Sequence, residues 1–264
     1  MLNDPTVSIV IAVYNDELMI RDSILSLVSQ SYGDFEIIAI DDGSSDSTGE
    51  ILSELANLDD RIRLFSQDNI GLTRSLNRGI GYAKGKYIAR LDSDDVCENS
   101  RLKLQVDYLE SNPNVALLGG RAKIVDEAGT TVLTSYLDQK QIEKKMRFTN
   151  CLVHSTVMFR RSLFLEIGLY NESYETTQDY EAWSRFIGKG YAIHMLPNTL
   201  VTRNIQPASV SRKRFLLQSM NSVRVRRGRI GVLMNAFLFL HQFTFGLFGA
   251  LTNLKIDKVI KYFK

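Results

Sequence analysis

The chain has 264 residues, 44% of them hydrophobic and 23% charged, with a formal net charge of +2. That composition excludes a disordered or collagen-like chain and supplies ample core. The near-neutral balance argues little about partners, whereas its distribution is informative: acidic residues crowd the first half and Arg and Lys crowd the region after Arg203. Cys97 and Cys151 show neither metal spacing nor a disulfide framework and read as reduced thiols.

Residues 1–6 are polar and lack the charged and apolar regions of a leader, so the catalytic part is expected in the cytoplasm. Residues 7–13 (VSIVIAV) form a continuous β-branched run, the pattern of a strand buried on both faces. Residues 17–30 carry apolar side chains at close to helical spacing. Residues 35–40 (FEIIAI) read as a second strand, ending in DDGSSD. Ser and Asp there suit an N-cap for a helix over 48–58. A short strand over 62–65 and a helix over 71–83 follow, with Gly85 as the break before the next strand. This alternation implies right-handed βαβ units around a mostly parallel, nucleotide-binding type of sheet.

The most informative stretch is residues 87–95, YIARLDSDD. A buried strand stopping at Asp92 leaves Asp92 and Asp94 at its carboxyl end, where open α/β sheets bind ligands. Two converging carboxylates repel unless a cation sits between them, and hard oxygen ligands suit Mg²⁺ or Mn²⁺ beside phosphates. Helix capping is the alternative reading of the same acids. Asp42 repeats the pattern at the tip of the second strand, where it either caps the following helix or accepts a bond from a nucleobase or ribose. Neither a G-x-G-x-x-G nor a Walker phosphate loop is present, so a bound diphosphate needs another source of positive charge.

Beyond residue 98 the pattern predicts a helix over 99–110, a strand over 115–119, a hairpin around 127–129, a strand over 152–159 and a short helix over 162–167. Residues 175–183 open another helix with Asp179 in its first turn, a place the helix dipole also favours for any acid. His154 and Trp183 are open to two readings, packing or lining a site.

Taken in order, VSIVIAVYN at 7–15, DDGSSDST at 41–48, NIGLTRSLNRGI at 69–80, AKGKYIARLDSDD at 83–95, LVHSTVMFRR at 152–161 and TTQDYEAW at 176–183 resemble an inverting family 2 glycosyltransferase of bacterial surface-polysaccharide type. The resemblance implies a GT-A fold over residues 1–211, with a nucleotide-sugar-binding half at 1–100 and an acceptor-binding half at 101–211. It implies that Ala12, Tyr14, Asp42, Asp92 and Ser93 line the donor, Tyr14 and Asp42 holding the nucleoside. Asp94, helped by Asp92, would hold Mn²⁺ or Mg²⁺. Asp179 would be the general base, and His154 and Trp183 would face the acceptor. The donor expected is a UDP-sugar, with a dTDP-sugar as the alternative. Two departures stand out. Leu76, not Arg, precedes Asn77, and Gln206 stands where many members carry a metal-binding His. The segment DSDDV also fits a phosphatase nucleophile motif, but Asp179 in Gln-Asp-Tyr does not supply the acidic pair that such an enzyme needs. A nucleotide-binding module without catalysis is the third reading, against which Asp179 counts.

Residues 212–264 read as a separate helical extension. Arg212, Lys213, Arg214, Arg224, Arg226, Arg227 and Arg229 precede an apolar run over 230–251, and Lys255, Lys258, Lys261 and Lys264 follow it. The run is long enough to span a bilayer, but positive charge flanks both ends. Helices in the interface of an anionic membrane are the favoured reading, with a spanning helix or internal packing behind it. No interleaved aromatic platform supports nucleic acid. The expectation is a lipid-linked saccharide acceptor met at the inner face of the cell membrane; oligomeric state is left open.

Overall fold

The computed structural model describes residues 4–126, 128–204, 215–227, 235–236 and 238–240. Gln206, and most of the apolar run, lie outside them.

The first half follows the sequence pattern closely. Strands β1 (Val7–Val13), β2 (Phe35–Asp41), β3 (Ile62–Ser66) and β4 (Tyr87–Arg90) pair in parallel, in the order β3-β2-β1-β4. Helices α1 (Ile20–Val28), α2 (Thr48–Leu58) and α3 (Leu72–Tyr82) connect them. Alternation along β1 assigns its side chains to two cores. Val7, Ile9, Ile11 and Val13 pack on the side of α1 and α2, while Val10 and Ala12 pack on the side of α3. Every residue of β1 is therefore buried, as its unbroken apolar run requires.

Gly85 is where β4 enters beside β1. A Cβ there would stand 2.5 Å from the backbone nitrogen of Ser8, and the Gly85 N–H donates to Ser8 Oγ at 2.8 Å.

The second half is mixed. Strand β5 (Asp95–Cys97) and helix α4 (Arg101–Ser111) lead into the long β6 (Val115–Val125), which turns back through β7 (Thr131–Leu133) as the expected hairpin. Helix α5 (Gln139–Met146) opens on a capping box in which Asp138 and Gln141 bond reciprocally. The run over 152–159 is not one strand. Residues His154–Thr156 form a 3₁₀ turn, and only Met158–Arg160 pair, as β8. Thr156 Oγ1 donates to the Val153 carbonyl at 2.8 Å, one of the local bonds that compete with an extended ladder. Helices α6 (Arg161–Ile167) and α7 (Gln178–Gly188) follow, then β9 (Ala192–Asn204) and α8 (Phe215–Arg226).

The sheet continues as β4-β8-β6-β9-β5. Strand β8 runs antiparallel to both neighbours, β6 and β9 are parallel, and β5 closes antiparallel on β9. The β6–β9 pair is long and broken by register shifts around Gly119 and Arg121. Pro197 lies in the unpaired part of β9, where its missing N–H breaks no ladder bond. Gly120 permits the close approach: a Cβ there would meet Leu200 Cδ1 at 2.3 Å. These bulges bend the pair, so that its far end meets β5 just past the acidic turn at 92–95.

Helix α8 was expected within the basic, membrane-facing extension. It is instead docked against α7, and Arg226 is fully buried. Asn235, at the start of the apolar run, accepts from Arg226 Nε at 3.0 Å and donates to the Val223 carbonyl at 3.3 Å, so this end of the run makes internal contacts. Among the described residues no helix is long and apolar enough to cross a membrane.

Because the neighbour at Gly85 is backbone, it cannot step aside for a side chain. Gly85→Ala is expected to lower unfolding stability by about 1–3 kcal/mol, seen as a lower urea midpoint at unchanged slope.

Candidate active site

Strand β4 ends at Arg90, and the chain turns through Asp92, Ser93 and Asp94 before β5. Carboxylate oxygens of Asp92, Asp94 and Asp95 all lie within 4.8 Å of one another. Such a cluster needs compensating charge, and two arginines supply part of it. Arg90, 2% exposed, donates to Asp92 Oδ1 at 2.5 Å. Arg203, paired across the β5–β9 ladder with Asp95, bonds Asp95 at 3.2 Å and approaches Asp92 at 4.0 Å. Ser155 Oγ donates to Asp92 Oδ2 at 2.9 Å. Burial by itself would raise Asp92, but Arg90 and Arg203 outweigh it and hold the group below the usual carboxylate range. Among the described residues no ion pair is made by Asp94, although the field of Arg203 reaches it. Burial, then the field of Asp92, pushes it up to about 6.

The turn is braced from both sides. Ser93 Oγ donates to Asp16 Oδ2 at 2.6 Å, and Ser23 Oγ of α1 donates to the Ser93 carbonyl. The buried Arg101 of α4 donates to the carbonyls of Arg90 and Val157, tying the end of β4 to the chain entering β8. Three clustered carboxylates, with Asp94 and Asp95 pushed up by burial and by the neighbouring acids, make an oxygen-rich site of the kind that suits a hard divalent ion.

Asp179 occupies the first turn of α7 and is partly exposed. Asn150 Nδ2 donates to its Oδ2 at 2.6 Å, and the Tyr180 N–H donates to its Oδ1 at 2.7 Å. Burial pushes Asp179 up to about 6, and the field of Asp92 adds to the shift. The two acidic sites are joined by the 154–156 turn. Ser155 touches Asp92, and His154 shares a 2.8 Å hydrogen bond with the Tyr170 hydroxyl and lies edge-on to the Trp183 ring at 6.0 Å. Burial, with Arg90 nearby, lowers His154 to about 3, so its ring is neutral at physiological pH.

Trp183 was expected on the acceptor side. It has no exposed surface and sits among Phe159, Phe164, Tyr170 and Phe186, which leaves no ring face for a sugar. On the donor side, Ala12 is buried on β1 beside Ile40, whereas Tyr14, just past the strand, is 52% exposed. The Asp42 carboxylate accepts from Gln67 Nε2 at 2.7 Å and from the Ile70 and Gly71 N–H groups at 2.9 Å. It is first an anchor for the 67–71 loop. With about four acceptor positions on a carboxylate, one remains.

The sequence reading did not single out Arg90, Ser155, Asn150, Asp95 or Arg203. Arg90 had a signal: a charge inside an apolar strand, two residues from Asp92 and so on the same side of extended backbone. Asp95 directly follows Asp94 in the same acidic run, whereas Ser155, Asn150 and Arg203 converge from distant segments.

The family model for glycosyl transferase family 2 matches residues 8–168. The chain belongs to this family. The amylovoran biosynthesis glycosyltransferase AmsE of Erwinia amylovora is 27% identical over 259 residues, covering 97% of this chain and 96% of that protein. Among solved structures, the mannosyltransferase PcManGT of Pyrobaculum calidifontis in complex with GDP-Man and Mn²⁺ has a TM-score of 0.67 at 16% identity, covering 99% of this chain and 79% of that one. S. aureus TarS 1–349 in complex with UDP-GlcNAc has a TM-score of 0.64 at 18% identity, covering 96% and 77%. The fold is GT-A, with the family's parallel half followed by the mixed half described above.

Arg90→Met strips Asp92 of its closest cation and is expected to destabilise the protein by about 3 kcal/mol at pH 7. A carboxylate held low in the fold stabilises it above the unfolded value near 4, and that contribution is lost as pH falls. The gap between wild type and variant in denaturant titrations should therefore narrow below about pH 4.

Proposed function

We propose that this glycosyltransferase moves a sugar from a nucleoside diphosphate donor to a saccharide hydroxyl, with inversion at the anomeric carbon. The observation that carries this reading is the carboxylate of Asp179 lying within the field of Asp92, with Ser155 bonded to Asp92 and the adjacent His154 packed on Trp183, one turn along α7 from Asp179. The half-exposed Tyr14 is the nucleoside contact, and Asp42 shapes the wall beside it and offers its remaining lone pair. A UDP-sugar is the preferred donor, as in the TarS complex; GDP-Man in the mannosyltransferase complex keeps the nucleobase a matter for a donor screen.

Asp92 and Asp94 would hold Mn²⁺ or Mg²⁺, which when bound supplies positive charge against a diphosphate that gains charge as it departs. Asp179 takes the proton from the acceptor hydroxyl. The acceptor oxygen bonds the anomeric carbon as the carbon–oxygen bond to the diphosphate breaks, and the nucleoside diphosphate leaves with that electron pair. Attack comes from the opposite face, so an α-linked donor gives a β-linked product. No protein nucleophile is needed.

The acceptor we favour is a saccharide on a polyprenyl diphosphate carrier, assembled into surface polysaccharide at the cytoplasmic face of the membrane. The polysaccharide relative AmsE and the basic and apolar composition of residues 228–264 support it. Helix α8 belongs with the catalytic unit in this reading, because it packs on α7. Asn235 packs with that unit through Arg226, so membrane contact is assigned to residues 241–264. A chain ending at Leu240 keeps the Asn235–Arg226 bond and should keep transfer to a soluble acceptor analogue but lose sedimentation with phosphatidylglycerol vesicles. Undiminished sedimentation would remove the membrane part of the proposal.

Asp179→Asn should lower transfer by about 10²–10⁴-fold while nucleotide binding in Mn²⁺ survives. Asp94→Ala should lose both. Equal loss of nucleotide binding in the two variants contradicts the assigned roles. A base pushed up to about 6 is ionised above that pH, so transfer should fall off on the acid side of about pH 6. Nucleotide binding measured across the same range separates this limb from protonation at the acidic turn.

A further inference from the structure

Asp179 stands in the first turn of α7, directly after a segment with little regular structure. Thr177, the residue that precedes α7, is in the left-handed region at φ 68° and makes no side-chain cap to the helix. A non-glycine residue there costs about 1 kcal/mol or more, so neighbouring contacts must hold it in place. The second support of the base, Asn150, lies in a loop between α5 and the 3₁₀ turn.

Both arms of the base touch helix α8. On one side, Asn221 Nδ2 donates to the Thr176 carbonyl at 3.2 Å and lies 3.1 Å from Thr176 Oγ1. Thr177 Oγ1 donates to the Gln218 carbonyl at 3.4 Å, and the Arg224 guanidinium covers the Tyr174 ring at 4.7 Å. On the other side, Arg226 Nη1 donates to the Phe148 carbonyl at 2.9 Å, two residues before Asn150. Asn221 and Arg226 are both buried, so these bonds are made without competition from water. A buried arginine directed at a backbone carbonyl is costly unless its position is needed.

We propose that Asn221 and Arg226 of α8 are positioning residues for the base, holding the 174–177 and 147–150 segments so that Asp179 and Asn150 keep their register at the acceptor. Neither residue touches the reacting groups. Their effect passes through backbone to one carboxylate, and the donor side of the cleft lies on other elements. The proposal rests on the reading of Asp179 as the base, so Asp179→Asn is run beside the test variants.

The test uses the full chain with Asn221→Ala, Arg226→Met, Arg226→Lys and Asn150→Ala. A misplaced base lowers turnover without weakening donor binding. Asn221→Ala and Arg226→Met should each lower kcat by about 10- to 100-fold, with Mn²⁺-dependent UDP affinity within about twofold of wild type. Arg226→Lys keeps a donor toward Phe148 and should recover part of the loss. Combining Asn150→Ala with Arg226→Met should cost less than the two losses multiplied, since both act on one carboxylate. The proposal is overturned if kcat is unchanged, if UDP affinity falls in step with kcat, or if the two losses multiply in full. Should Arg226→Met fail to fold, Asn221→Ala decides by the same criteria. If Asp179→Asn itself retains full transfer, the base assignment fails instead, whatever the α8 variants do.

Discussion

Asp92 stays ionised in a largely enclosed turn because a guanidinium lies beneath it. Arg90 is sealed from water at the end of β4, and the Asp92 carboxylate is its outlet. The strand, the turn and the charge of the acidic site are therefore one unit. Sliding β4 by one residue would point Arg90 into the opposite core and leave Asp92 without its nearest cation. The parallel pairing of β4 with β1, made close by Gly85, protects that register. Arg203 then adds a second cation from the far edge of the sheet, where it also pins β5 to β9.

The second half of the sheet exists to bring that far edge back. β4 and β5 are adjacent in sequence yet separated by β8, β6 and β9 in the sheet order. A flat sheet could not place them at one turn. The bulges at Gly119–Arg121 and the loop around Pro197 bend the β6–β9 pair far enough to do so. The same bend leaves room for the short 154–156 turn, which carries Ser155 to Asp92 and His154 to Tyr170. His154 is held neutral by burial, and its hydrogen bond is already made to the Tyr170 hydroxyl.

The aromatic cluster around Trp183 packs α7 against the core. Trp183 is one turn along α7 from Asp179, and packing of its ring against Phe159 and Phe164 fixes the helix on which the carboxylate stands. Of the two readings open for Trp183, packing is the one its full burial supports. Helix α8 completes the support from the outside through Arg226 and Asn221, which the basic composition of that segment had disguised as surface.

By itself the chain of residues determined the parallel half. Apolar runs of strand length alternate with helical spacing, and two of the strands, β2 and β4, end in the acids that mark a ligand crevice. These signals are local, so Asp92 and Asp94 could be named from the residues themselves, and Asp179 from the family resemblance. The split of 152–159 and the partners of each acid were decided only in three dimensions. Asp42 reads as a free acceptor until the 67–71 loop is seen folded onto it. Asn150, Ser155 and Arg203 become meaningful only when bulges and a turn carry them across the fold, because hydrogen bonds between segments tens of residues apart leave no periodicity along the chain.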